Sequence, residues 1–310
     1  ENRLGERLEA DALPGDVPTR LGILLADFHA RSERGPEISR YATFEMVSKN
    51  LLDNFDQSRD QPGDIVDRGV YTRAEALSEA WLTNMREAIE ARASADVPCD
   101  THGDLRLEHV YISDDGEIRL IDCIEFNDAF RYADPVADVA FLAMDLRIRG
   151  YDQVADDFLN TYFAACEDVG GRRLLPLYMA YRSTVRAKVH GFKSREDEVP
   201  PEEREEARRK AQMHWLFALS TLAGPRERPR LVLVGGLPGT GKSTVAETLR
   251  HRGWLYVVID TDEVRKELAG VDRGSSAADA PDEGIYTDEW TEKTYSECLE
   301  RSREALTRGQ

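Results

Sequence analysis

Residues Gly236 to Ser243 read G-L-P-G-T-G-K-S, an instance of the eight-residue pattern G-x-x-x-x-G-K-[ST]. No other segment of the 310-residue chain narrows the fold as far. The run before it, Leu231-Val232-Leu233-Val234, is short, apolar and valine-rich, as a buried parallel strand is. The run after it, Thr244 to Arg250, has helical composition. The predicted unit is therefore strand, loop, helix. Glycines let such a loop turn its N–H groups inward around a phosphate, and the following helix adds the positive end of its dipole. In that frame Gly236, Leu237, Pro238, Gly239, Thr240, Gly241, Lys242, Ser243 and Thr244 form a nucleotide-phosphate cradle. Lys242 would reach the β- and γ-phosphates, and the Ser243 hydroxyl would ligate Mg²⁺.

A chain of this length accommodates about two domains. Its 59 acidic and 41 basic residues give a formal charge of −18, which argues against a nucleic-acid partner, because a phosphate backbone wants a basic surface. The four cysteines, at 99, 123, 166 and 298, match no metal or redox spacing and read as reduced thiols. No apolar run approaches the ~20 residues of a membrane span, and no signal peptide opens the chain. No membrane partner and a cytoplasmic location are the expectation.

Helical periodicity runs over Thr19 to Ser32 and over Ala74 to Ala95, with a loop at 56–69 between them. Short strands and loops follow from Val97 to Asp122, and long helices from Asp134 to about Ala223. The charged run 195–210 reads as a solvated loop and helix start punctuated by Pro200-Pro201. Residues 224–229, G-P-R-E-R-P, form the best linker in the chain. The predicted domains are thus 1–223 and 230–310.

A second constellation lies in the first of these. Residues 102–109 read H-G-D-L-R-L-E-H, and a turn at Asp114-Asp115-Gly116 separates the apolar runs 110–112 and 118–121 before Asp122. Kinase-like sites place a catalytic Asp in a loop, a metal ligand five residues later and a metal-binding Asp after a hairpin. Those roles fall here to Asp104, His109 and Asp122, brought to one edge by the hairpin. One carboxylate must accept a hydroxyl proton, and another must hold Mg²⁺ against the transferred phosphates.

This segment resembles the aminoglycoside phosphotransferase family, a branch of the protein-kinase-like fold, through His102-Gly103-Asp104, Ile121-Asp122 and Asp134-Pro135-Val136-Ala137-Asp138. The resemblance implies that Asp104 is the catalytic base, that Asp122 binds magnesium and that Asp138 braces the catalytic loop. Asp134 before Pro135 also reads as an ordinary helix N-cap, and Asp138 as a first-turn helix charge. The family usually has Asn where His109 stands. Imidazole is a bulkier, softer ligand than an amide oxygen, so His109 either ligates metal or turns away and packs. Residues 121–146, Tyr178 to Val189, Asp260 to Leu268 and Gly284-Ile285-Tyr286 extend the likeness to a bacterial two-domain family. In it an aminoglycoside phosphotransferase-like domain is fused to a C-terminal P-loop kinase domain.

The implied fold is an α+β kinase-like C-lobe, mainly helical with a small hairpin, followed by an α/β P-loop NTPase domain. A kinase-like domain also needs a glycine-rich flap and a strand lysine, and a P-loop domain a later strand ending in Asp. Neither is found here, so both domains are expected to be cut. Val257-Val258-Ile259 reads as a second strand, with Asp260, Asp262 and Arg265 at its carboxyl edge, where α/β proteins bind ligands. By resemblance Asp262 contacts or deprotonates the acceptor and Arg265 clamps it; the simpler reading is helix capping and a surface arginine. Residues 272–284 would form a loop near that site. The expected activity is ATP- and Mg²⁺-dependent transfer of phosphate to a hydroxyl of a small metabolite. The alternatives are a ligand-sensing, degenerate kinase-like domain that regulates the P-loop domain, and a polynucleotide end kinase, which the charge disfavours. No particular acceptor or oligomeric state follows from the residues.

Overall fold

The computed structural model describes residues 3–113, 115–224, 231–237, 239–252, 257–271, 285 and 287–307. Apart from Gly224, the expected linker lies outside them, as do Asp114, Pro238, the loop 272–284 and Tyr286. The chain divides into two compact units, Glu1–Ala223 and Gly224–Gln310.

The first unit is mostly helical with few strands. Its elements run α1 (Leu4–Glu9), α2 (Val17–Arg31), α3 (Pro36–Ser39), α4 (Phe44–Asp56), α5 (Arg68–Ser94), β1 (Cys99–Asp100), β2 (Val110–Ile112), β3 (Ile118–Leu120), α6 (Asp128–Arg131), β4 (Tyr132–Ala133), α7 (Pro135–Ile148), α8 (Asp152–Cys166), α9 (Val169–Arg172), α10 (Leu175–Lys193) and α11 (Pro201–Leu222). Helix α5 starts six residues before the expected Ala74, because the Asp67 side chain accepts from the N–H groups of Gly69 and Val70. Helix α4 was not expected; its Thr43 cap accepts from Met46, and it buries Val47, Leu51 and Phe55.

The centre of the unit is α7. It is buried nearly all round and mostly apolar, with Val136, Val139, Phe141, Leu142 and Leu146 all buried, as a helix enclosed by others must be. Asp134 caps it and Pro135 opens it, so the N-cap reading of Asp134 holds. Helices α8 and α10 pack against it, and α2 packs on α8. The chain threads this core with two short antiparallel pairs. β2 pairs with β3 (Val110 with Leu120, Ile112 with Ile118), and β1 pairs with β4 (Cys99 with Ala133). Arg92 on α5 anchors both the start of α7 and the cap of α9. Its guanidinium spans Asp134 (2.6 and 3.0 Å) and Asp168 (both 2.7 Å).

The described residues of the second unit hold three helices, α12 (Lys242–His251), α13 (Thr261–Leu268) and α14 (Asp288–Thr307). The strands expected at 231–234 and 257–259 carry no regular secondary structure and form no ladder among the described residues. Their apolar side chains are exposed except that of Ile259, which is half-buried; Leu233 is 86% exposed. A parallel strand gains much of its burial from neighbours on both edges, and these runs have no ladder partner among the described residues.

Candidate functional site

The loop between β1 and β2 carries H-G-D-L-R and is held at both ends by α7. Asp138, fully buried in the first turn of that helix, accepts the backbone N–H of His102 at 2.7 Å and of Gly103 at 2.9 Å. Asp145 accepts the N–H of Leu107 at 3.0 Å. The two carboxylates are seven residues apart, two helical turns, and so share one face of α7. Sequence reasoning missed Asp145; the signal was a second acidic residue at that spacing in an otherwise apolar helix. His29 of α2 approaches Asp138 from the other side, with Nε2 3.3 Å away, and its Nδ1 lies 2.9 Å from the Tyr162 hydroxyl. Burial pushes the Asp138 carboxyl up, and the His29 bond and charge more than offset it, so the group stays below its ordinary value. Gly103 adopts φ +81°, and a Cβ there would lie 2.8 Å from the Phe130 carbonyl oxygen. Only glycine fits this step of the loop.

Asp104 follows directly. Both its carboxylate oxygens are taken by Arg106, with Nε at 2.9 Å and Nη2 at 2.7 Å. Burial raises the Asp104 carboxyl, and the Arg106 bond and charge outweigh burial, leaving it below the usual carboxylate range. Arg106 also pairs with Glu108. Arg106 was not singled out from the sequence, because an arginine two residues from an aspartate reads there as an ordinary loop residue.

His109 does not turn away from the site. Its Nδ1 lies 2.7 Å from the Asp104 carbonyl oxygen, which fixes Nδ1–H as donor and leaves the Nε2 lone pair facing outward. That Nε2 is 3.3 Å from Asp122 Oδ2 and 3.4 Å from Arg106 Nη2. Asp122 sits just past the hairpin in a left-handed conformation, φ +61°, which aspartate tolerates better than most residues. His102 shares the floor: its Nε2 donates to the Ile121 carbonyl at 2.8 Å, and its ring stacks on His109. Asp104, His109 and Asp122 thus line one edge, with His109 between the two carboxylates.

For a divalent cation this edge supplies few protein donors. Among the described residues no group of three or more His, Cys, Asp or Glu side chains is arranged to hold a metal. Asp122 and His109 Nε2 remain, a lone pair facing a carboxylate oxygen, which is a contact that a cation between them relieves. Magnesium commonly takes one or two carboxylates and completes its shell with water and phosphate; Asp122 fits that mode, and His109 Nε2 would add a nitrogen donor to it.

In the second unit, Gly241 (φ +88°) precedes α12, whose first residues are Lys242 and Ser243. Lys242 Nζ folds back to the Leu237 carbonyl at 2.8 Å. The Ser243 hydroxyl donates to Asp260 Oδ2 at 3.3 Å, while Asp260 Oδ1 accepts from the Asp262 N–H at 2.8 Å and caps α13. Asp260, expected at the ligand-binding edge with helix capping as its simpler reading, caps α13 and is also the carboxylate beside Ser243. Asp262 instead pairs with Lys266 one turn on, at 3.0 Å, and Arg265 lies near the end of α13. No helix among the described residues is long and apolar enough to cross a membrane.

Residues 2–177 match the model of a family described as a phosphotransferase enzyme family, and residues 231–310 match one described as an AAA domain. The two-domain order implied by the resemblance is the order found. Uncharacterized proteins of Mycobacterium tuberculosis and Mycobacterium bovis are 32% identical over 286 residues, 92% of this chain and 55% of theirs. The chain spans about half the length of the curated relatives it matches. Two solved glucosamine kinase chains, one in complex with glucosamine, ADP and inorganic phosphate, align at 17% identity with TM-scores of 0.44 and 0.41. The alignments cover 71% and 79% of this chain and 54% and 59% of those chains.

Proposed function

We propose, from the premise that this chain belongs to the phosphotransferase enzyme family, that it takes part in ATP-dependent transfer of phosphate to a hydroxyl of a small metabolite. One observation carries the reading. Asp138 fixes the backbone of the H-G-D turn, and the turn presents Asp104 beside His109 and Asp122 at one edge. A base must be held in place before it can be useful, and a buried carboxylate accepting two backbone N–H groups from the loop holds it.

In this reading Asp104 accepts the proton of the attacking hydroxyl. Its depressed pKa keeps it ionised at neutral pH and so able to accept. Arg106 must yield at least one of the two oxygens for that to happen. Asp122 and His109 would hold the magnesium ion, which when bound supplies charge neutralisation to the phosphates. In the second unit, Lys242 and the loop around Gly239 and Gly241 would bind nucleotide phosphates, with Ser243 and Asp260 as oxygen donors to a cation. Asp262 and Arg265 would be the candidate contacts to the acceptor.

The pairing of both Asp104 oxygens favours one second reading, in which the first unit senses a ligand and regulates the P-loop unit. The two differ in what consumes ATP. ADP release by the intact protein, measured across sugars, amino-sugars and nucleosides, tests the first: acceptor-dependent release supports it. Release that no acceptor alters, with turnover confined to the P-loop, contradicts it.

A further inference from the structure

Arg106 also lines a cavity of about 380 Å³ between the end of α1, α7, α10 and α11; Asp104 and Asp122 do not line it, and the carboxylates that do, Glu9, Glu108, Asp145 and Glu206, are each paired with one of its basic residues. Its basic residues are not alike. Arg106 pairs with Asp104 and Glu108, Arg149 with Asp145 and Glu9, and Lys210 with Glu206. Arg186 on α10 has no carboxylate at ion-pair distance among the described residues. Its guanidinium donates from Nη2 to His190 Nε2 at 3.1 Å. The carboxylates that act on it from farther off, Asp104, Glu108 and Asp145, are already committed to Arg106 and Arg149.

The histidines do not supply a counter-charge. His190 accepts from Arg186, so its ring is neutral, and it stacks on His214 with centroids 5.6 Å apart. The Ser183 hydroxyl donates to the His214 carbonyl at 2.8 Å and lies 3.1 Å from His214 Nδ1, which leaves Nδ1–H as donor. Burial and then the surrounding cations push His190 down to about 4 and His214 down to about 3. Arginine stays charged in any protein environment, and a largely buried charge is normally paired. The wall of this cavity therefore holds a guanidinium whose natural partner is not supplied by the described residues.

We infer that the cavity binds an oxyanion, the phosphoryl or carboxylate group of a small metabolite, with Arg186 as its counter-charge. The planar fork of a guanidinium matches either group bidentately, and the volume suits a compact ligand. Arg106 joins this cavity to the H-G-D loop, since the same guanidinium lines one and holds Asp104 in the other. The inference rests on the cavity and stands whatever the role of Asp104.

Thermal unfolding of the full chain, titrated with sodium phosphate and separately with sodium acetate at constant ionic strength set by chloride, tests it. The wild type should be stabilised saturably by at least one of the two anions. A response to phosphate alone assigns a phosphoryl ligand, and one to acetate alone a carboxylate. Arg186→Gln should weaken the apparent affinity at least tenfold. In Lys242→Ala, which removes the phosphate loop as a second anion site, a saturable response should persist, which separates this cavity from that loop. Should Arg186→Gln not fold, Arg186→Lys keeps the charge without the fork and should weaken the affinity severalfold. Absence of a saturable response to both anions, an undiminished response in the Arg186 variant that folds, or loss of the response in Lys242→Ala overturns the inference.

Discussion

Replacing Asp138 by asparagine tests how the H-G-D loop is held. The carboxylate accepts two backbone N–H groups, at 2.7 and 2.9 Å, in a site with no solvent exposure. Asparagine keeps one oxygen and turns an NH₂ group toward the other donor. One buried N–H then loses its partner, at about 1–3 kcal/mol, and the surviving bond loses its charge assistance, for a total of about 2–5 kcal/mol. For a unit of this size that lowers the melting temperature of the first unit by roughly 4–20 °C, read by calorimetry on the full chain. The pH dependence carries a sign. The folded Asp138 value is depressed, so its contribution is complete above the unfolded value of about 3.9 and is lost as pH falls through the folded value. The gap between wild type and Asp138→Asn should therefore be full at pH 6 and narrow in acid. A loss smaller than about 0.5 kcal/mol at pH 6, the range of ordinary surface changes, would refute the bracing role.

Other consequences follow from the same network. Arg92→Met leaves Asp134 and Asp168 facing each other without their cation, and urea unfolding should show a loss of about 3–5 kcal/mol; a loss under 1 kcal/mol contradicts the pairing described. In Arg106→Gln, burial of Asp104 is no longer opposed by the guanidinium, so its titration, followed by carboxyl NMR, should move upward; no movement means that Arg106 does not set the carboxyl. Lys242→Ala should abolish Mg·ATP binding by the second unit in calorimetric titration while leaving the first unit folded; unchanged affinity removes the phosphate-loop assignment.

Much of this arrangement was legible in the residues because it is local. The hairpin 110–120 announces itself through two apolar runs around a turn, and the α7 start through Asp134-Pro135. Asp138 could be read either as a helix charge or as a brace, because only tertiary structure says which N–H groups it meets. The pairing of Arg106 with Asp104 and the accepting role of Asp145 depend on side-chain directions that spacing does not encode. Helix α4 was legible and was missed: Phe44, Val47, Leu51, Leu52 and Phe55 recur at helical spacing behind the Thr43 cap. The strands expected at 231–234 and 257–259 stay without a ladder among the described residues. Composition marks a segment fit for a buried strand, but a ladder also needs neighbours, and the described residues provide none.

The central claim is that Asp104 serves phosphate transfer in the first unit, and the most direct test is acceptor-dependent ADP release by Asp104→Asn in the intact protein. The substitution removes the base with little change of shape, and general-base catalysis contributes about 10²–10⁴-fold. The account predicts a loss of acceptor-dependent turnover in that range, with Mg·ATP affinity at the phosphate loop unchanged. Acceptor-dependent turnover that survives intact in Asp104→Asn and disappears in Lys242→Ala would contradict it, and would place the chemistry in the second unit alone.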